Sequence, residues 1–300
     1  MKPDALPYPG PAATAASSRL ADIFILAKVR VNALVVATTA GGYYMATHDV
    51  DALTLVLACA GTALVASGAS AFNQVHERAT DKLMVRTRLR PIADGRMTAG
   101  QGRAIAAALS LAGLAVIWLG SNLPAALVAL ATLAFYAVVY TPLKRRSSLA
   151  TVVGAVPGAL PPLIGWAAAG GTLASPAPWT LFFIMFLWQL PHFLAIAWIY
   201  REDYARAGLP MLPVVDPRGT LTGRQTMLWA VTIIPFSLLP TALQMTDAIY
   251  GVGAALLGLV QLVVAIRFGV QRTDSRARTL FYASIIYLPL LWLLMCVGRR

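Results

Sequence analysis

Asn73, Glu77 and Asp81 recur at a four-residue step, which on a continuous helix stacks them on one face. Two acids at that spacing repel unless a cation lies between them. Hard divalent cations take oxygen ligands, so an amide carbonyl and two carboxylates in this register form a donor set for such an ion. Arg86 and Arg90 follow at the same step and can face the anionic groups the metal holds, as guanidinium does with phosphate. Metal, carboxylates and arginines side by side point to a bound diphosphate. The competing reading is a solvated helix end whose acids pair with Arg78 and Lys82. That reading does not require an Asn in the same register.

A second polar centre follows Trp188-Gln189-Leu190-Pro191-His192-Phe193, where Tyr200, Arg201, Glu202, Asp203, Tyr204 and Arg206 gather. Both centres close an apolar run, and they lie four runs apart. An even offset returns the chain to the same side, so the two are expected to converge on one cavity. Glu202 and Asp203 therefore extend the candidate acid and metal set, against the alternative of a loop ion pair to Arg201 or Arg206. His192 sits behind a proline inside an apolar run, where an ionisable residue is costly and usually functional. Its alternative role is a hydrogen bond to a carbonyl freed by Pro191. His76 lies off the Asn73 face, and His48 falls in a short polar loop.

The elements that position these groups are membrane helices. The chain is 58% hydrophobic and 12% charged, with a mean hydropathy of +0.70, too apolar for a soluble globule of 300 residues. Apolar runs near the ~20 residues that span a bilayer recur along almost the whole length. We place nine, at roughly 23–46, 52–75, 99–120, 123–141, 149–170, 178–200, 226–245, 248–268 and 279–298. Residues 1–21, rich in Pro, Ala and Ser, are expected to be a disordered N-terminal segment ahead of one domain over 22–300. Of the 24 Lys and Arg, all but Arg299 and Arg300 lie at the N-terminus or in alternate loops. By the positive-inside rule those loops and the N-terminus are cytoplasmic. The net charge of +12 is thus a topology signal, and no nucleic-acid partner is implied. Cys59 and Cys296 lie inside apolar runs and read as small buried hydrophobes.

The pattern Asn73-x3-Glu77-x3-Asp81, followed by Met84-x-Arg86-Thr87-x2-Arg90-Pro91, resembles the first aspartate-rich motif of the UbiA-type intramembrane prenyltransferases. Glu77 at the middle position, Pro191-His192-Phe193 and Asp203-Tyr204-x2-Ala207-Gly208-x-Pro210-Met211 resemble the protoheme-farnesylating branch of that family. The likeness runs from Lys28 through the ninth apolar run. It implies an all-α, nine-helix bundle around a central cavity, in a bacterial cytoplasmic (inner) membrane. It implies farnesyl transfer from farnesyl diphosphate to a vinyl group of heme b, with water adding, to give heme O. It also implies Mg2+ as cofactor and a contact with heme A synthase or oxidase assembly factors.

Carried over by position, Asn73, Glu77 and Asp81 would hold Mg2+, with Glu202 and Asp203 adding a second acidic group. Asp203 would join the first three as catalytic. Arg86, Arg90, Lys144 and Arg145 would contact diphosphate, Lys28 and Arg30 would complete the substrate-binding cations, and His192 would touch heme iron or a propionate. Two departures stand out. Where relatives in the wider family carry a second aspartate pair, this chain has Tyr200 and Tyr204; where the branch has Lys-Pro-Arg, it has Lys28-Val29-Arg30. The nearer alternative is a UbiA-type enzyme acting on a quinone precursor or another aromatic acceptor. A secondary transporter with a charged midplane site is a different class, and acids clustered at one face count against it.

Overall fold

The computed structural model describes residues 19–300. Of the expected disordered segment, 1–18 therefore lie outside the described residues, and 19–21 already belong to the first helix. In chain order the helices are α1 (Arg19–Ala27), α2 (Val29–Ala46), α3 (Ala52–Asp81), α4 (Ala99–Gly120) and α5 (Leu123–Ala134). A π-helical turn, Phe135–Tyr140, runs into α6 (Thr141–Leu143), and α7 (Ala150–Ala159) and α8 (Pro161–Ala168) form the next rod. Then come α9 (Pro176–Ile199), α10 (Arg201–Arg206), α11 (Leu212–Val215), α12 (Thr220–Ala242), α13 (Ala248–Val270) and α14 (Asp274–Val297). No strand occurs among the described residues beyond one isolated bridge between Thr246 and Arg299.

Nine rods result among the described residues, close to the places the apolar runs gave. Eight are long and apolar enough to cross a bilayer. The ninth, α2, has 18 residues diluted by Arg30, Asn32, two Thr, two Gly and two Tyr, yet it packs between α3 and α8 inside the bundle. The protein is an integral membrane protein. Caps mark several rod starts: Asp51 accepts from the N–H groups of Leu53 and Thr54, Thr98 and Gln101 form a capping box on α4, and Asn122 opens α5.

Burial separates an inner layer from an outer one. Of the spanning stretches, Pro176–Ile199 and Ala150–Ala168 have 67% and 61% of their apolar window buried, against 17–33% for the other six. The bundle is therefore built around α9 and the α7–α8 rod, and α9 carries His192. Around them α3 pairs with α4, α12 with α13, and α14 lies against α9 and α13. The α3–α4 pair approaches closely because small residues face each other. A Cβ on Gly61 would stand 2.8 Å from the Gly113 carbonyl oxygen, and one on Gly113 would stand 2.6 Å from that of Gly61.

Two breaks in regular helix aim the polar residues. The first rod is interrupted at Lys28, whose φ of 49° and ψ of 46° put it in the left-handed region, uncommon for a residue with a Cβ. The carbonyls released there find side-chain donors: Gln74 Nε2 donates to Ile25 and Leu26 O at 3.1 and 3.0 Å, and Asn32 Nδ2 to Ala27 O at 2.7 Å. The kink thus forms without the proline of the branch. The second break is the π-helical turn ahead of Pro142, a residue that has no N–H to return to the ladder.

Candidate active site

The helix carrying Asn73, Glu77 and Asp81 does continue to Asp81. At 30 residues α3 is about 45 Å long, longer than the ~30 Å hydrocarbon core, so its last turns reach the membrane face. All three side chains are buried there, Asp81 at 0% exposure. The cations paired with the two acids come from beyond the end of α3, and neither Arg78 nor Lys82 is among them. Arg90 Nη1 donates to both oxygens of Asp81 at 2.9 and 2.8 Å and lies 3.8 Å from Glu77 Oε2. Lys144 Nζ donates to Glu77 Oε1 at 2.9 Å. Burial alone would lower the Lys144 ammonium, but Glu77 beside it holds it above the usual lysine range. Lys28, aimed by its left-handed backbone, stands in the electrostatic field of Glu77, Asp81, Arg90 and Lys144. Arg30, two residues on, is exposed.

The second centre closes onto the first through Asp203. Its carboxylate accepts the backbone N–H groups of Val85 and Arg86, both at 3.3 Å, and also pairs with Arg206. Burial would raise this carboxyl, but the Arg206 bond and the N–H groups of Arg86 and Val85 hold it below the usual aspartate range. The Arg86 guanidinium lies over the Tyr200 ring, 5.0 Å from its centroid, a cation–π contact. Asp203 thus acts here as a clasp on the 82–98 turn. Glu202 is exposed beside it. Arg145 is exposed and, with His76, Glu77, Thr141, Pro142 and Arg146, lines a cleft of about 370 Å³.

His192 stands apart from both acidic groups. Its ring stacks on Trp188 (centroids 5.0 Å, planes 21° apart) and on Phe281 (5.1 Å, 26°). Its Nδ1 lies 2.8 Å from Ser284 Oγ, so its partner is a hydroxyl on α14, not a carbonyl freed by Pro191.

Several residues at the site carried no signal in the sequence that told their role, although Met84, Tyr204 and Met211 stand in the motif patterns. Met84, Tyr204, Leu209 and Met211 form a small apolar cluster that fastens the 82–98 turn to α10 and α11. Tyr136 and Tyr140, on the π-helical turn, are electrostatic neighbours of Glu77 and Lys144. Gln74, adjacent to Asn73 in sequence, holds the Lys28 break. Only the π turn left a trace, in Pro142.

The residues fit a hard divalent cation. Asn73, Glu77 and Asp81 supply oxygen donors on one buried face, the donor chemistry a hard cation takes. Among the described residues no group of three or more His, Cys, Asp or Glu gathers as a metal cage. An ion held here would draw its remaining oxygen ligands from substrate or water, as Mg2+ commonly does at phosphate sites. Both carboxylates are paired with Arg90 and Lys144, so a cation bound there would have to exchange with them.

Residues 34–292 match the model of the UbiA prenyltransferase family. A protoheme IX farnesyltransferase of Solibacter usitatus is 46% identical over 288 residues, covering 93% of this chain and 98% of that protein. One of Gloeobacter violaceus is 42% identical over 282 residues, covering 93% and 92%. Among solved structures, digeranylgeranylglyceryl phosphate synthase superposes with a TM-score of 0.78 at 18% identity, over 94% of this chain and 99% of that one. A UbiA homologue from Archaeoglobus fulgidus, bound to DMAPP and Mg2+, does so with a TM-score of 0.64 at 14% identity, over 92% and 99%. The chain belongs to the UbiA prenyltransferase family.

Proposed function

We propose that this protein transfers the farnesyl group of farnesyl diphosphate to a vinyl group of heme b. Water adds, and the products are heme O and diphosphate. The observation that carries this reading is the buried cluster in which Glu77 and Asp81 meet Lys144 and Arg90 at the end of an apolar bundle. Together with Lys28 the cations outnumber the acids, which suits an anion that arrives with a metal ion. The protoheme farnesyltransferases at 42–46% identity support heme as the acceptor.

When bound, Mg2+ supplies charge neutralisation for the diphosphate leaving group. The chain's own residues do the rest. Asn73, Glu77 and Asp81 hold the cation, with Asp203 fixing the turn beside it. Arg90 and Lys144, released from their carboxylates, turn to the diphosphate oxygens with Arg86, and Arg145 waits at the cleft. Such cations, fixed in place in a water-poor site, stabilise the charge that develops as the allylic C–O bond breaks. The vinyl group then gives its π electrons to the farnesyl carbon. The adjoining carbon takes hydroxide from water, whose proton leaves to solvent. Apolar helix walls keep water from the allylic cation until the new C–C bond has formed. His192 contacts the heme, through its iron or a propionate. Glu202 and Arg30 are exposed; Arg30 adds to the substrate-binding cations and Glu202 to the acids available to a second metal ion.

The same reading sets the enzyme as one domain over 22–300 in a bacterial cytoplasmic membrane, N-terminus inside, which the Lys and Arg bias supports. A hand-off contact with heme A synthase or oxidase assembly factors follows from the product. The test is a product assay: purified protein in liposomes with heme b, farnesyl diphosphate and Mg2+ should yield heme O. Prenylation of a quinone precursor in place of heme under the same conditions would overturn the acceptor.

A further inference from the structure

Ser284 makes more contacts to the His192 box than a packing residue needs. It is fully buried on α14, and three hydrogen bonds meet at it. Its Oγ lies 2.6 Å from the Phe281 carbonyl oxygen and 2.8 Å from His192 Nδ1. Its own carbonyl accepts the Trp188 indole N–H at 2.7 Å. The first two contacts together fix a proton. A carbonyl has none to give, so the bond to Phe281 uses the single hydroxyl hydrogen of Ser284. The same oxygen can then only accept from the imidazole, so the proton of a neutral ring sits on Nδ1. Nε2 is left with a lone pair.

The rest of the box keeps that lone pair usable. Trp188 and Phe281 both stack on the ring, Ser284 occupies the Nδ1 edge, and the residue retains partial exposure. Of the two ring nitrogens, Nδ1 is the one engaged by Ser284. Trp188 is anchored through the Ser284 backbone, so its place in the stack does not depend on the hydroxyl.

We infer that Ser284 is a positioning residue, which locks His192 in the Nδ1–H tautomer so that Nε2 is presented as a ligand or acceptor to the heme. This rests on the proposed function for the identity of the ligand. The tautomer stands on the hydrogen bonds alone. An Nε2 lone pair suits a metal centre of a porphyrin, or the acid proton of a propionic group. It excludes a partner that must accept a proton from that nitrogen. Second-residue control of which imidazole nitrogen ligates is a general device of histidine sites.

The experiment uses the full-length protein in liposomes with histidine-selective 15N labelling. The chain has only three histidines, and His192→Ala assigns the signal of interest. The wild-type spectrum should show Nδ1 protonated and Nε2 bare at His192. Ser284→Ala should shift the ring toward the Nε2–H form, and Ser284→Thr, which keeps the hydroxyl, should restore the wild-type pattern. Nε2–H as the main form in the wild type overturns the inference. In a parallel titration of heme b followed by Soret absorbance, Ser284→Ala should weaken binding about three- to tenfold. It should leave a farnesyl thiodiphosphate analogue bound as before. Unchanged heme affinity in Ser284→Ala, alongside a loss in His192→Ala, would remove Ser284's role and spare the heme pocket. Unchanged heme affinity in His192→Ala would instead overturn the pocket, while the ring-nitrogen signals still decide the tautomer.

Discussion

Replacing Lys144 by alanine should move the two ligands of the acidic cluster in opposite directions. Lys144 Nζ lies 2.9 Å from Glu77 Oε1, and the side chains are only 13% and 6% exposed, so this pair is shielded from water. Removing one partner of a buried pair costs about 3–5 kcal/mol, because the other charge is left uncompensated. Arg90 remains 3.8 Å from Glu77 Oε2 and offsets part of that, which leaves about 1.5–3 kcal/mol for the lost charge-assisted bond. On the proposed function, a Mg2+ ion in the wild type would have to displace the ammonium before reaching Glu77; in the variant it would not. Metal affinity without substrate should therefore rise about 10- to 100-fold, and Mg2+ should restore thermal stability lost by the metal-free variant. A farnesyl thiodiphosphate analogue should bind more weakly by about the same factor, since a cation freed for its oxygens is gone. Calorimetric titration of each ligand into detergent-solubilised protein reads both changes. Weaker Mg2+ binding in the variant, or the same direction of change for both ligands, would refute the exchange of partners. Lys144→Arg, which keeps the charge, should stay near wild type for the metal.

Three further outcomes follow from the same geometry. Asp81→Asn keeps shape but removes the charge shared with Arg90, so turnover should fall by roughly 10²–10³-fold while membrane insertion persists; chelation of the wild type should have the same effect, and near-normal turnover would reduce Asp81 to a helix-end residue. Asp203→Ala removes the acceptor for the Val85 and Arg86 N–H groups, so hydrogen exchange at those amides should rise about tenfold or more, and unchanged exchange would mean the turn is held by Met84 packing alone. Reporters fused after residue 146 and near residue 174 should appear on opposite membrane faces, the first cytoplasmic, and the same side for both would break the topology between them.

The sequence by itself determined the class and the number of rods, and it singled out the residues of the candidate site. Helix formation in lipid is compulsory for the backbone, so hydropathy alone located nine rods. A four-residue step is a local property of one helix, so the Asn73, Glu77, Asp81 face could be read before any packing was known. The same locality explains why Asp203 stood out: an acid next to the end of an apolar run is visible in the string. The tertiary structure decided which charges meet. Arg90 and Lys144 reach Asp81 and Glu77 across 9 and 67 positions of sequence, and no local spacing says that these two, and not Arg78 or Lys82, pair with the acids. It also decided that Asp203 clasps a turn more than a hundred residues earlier, and that the kink at Lys28 rests on Gln74 and Asn32 in place of proline. Above all it brought Ser284 to His192. A serine in an apolar helix has no periodic or charge signal, and its meaning lies in a hydroxyl proton whose direction is set only when α14 packs against α9.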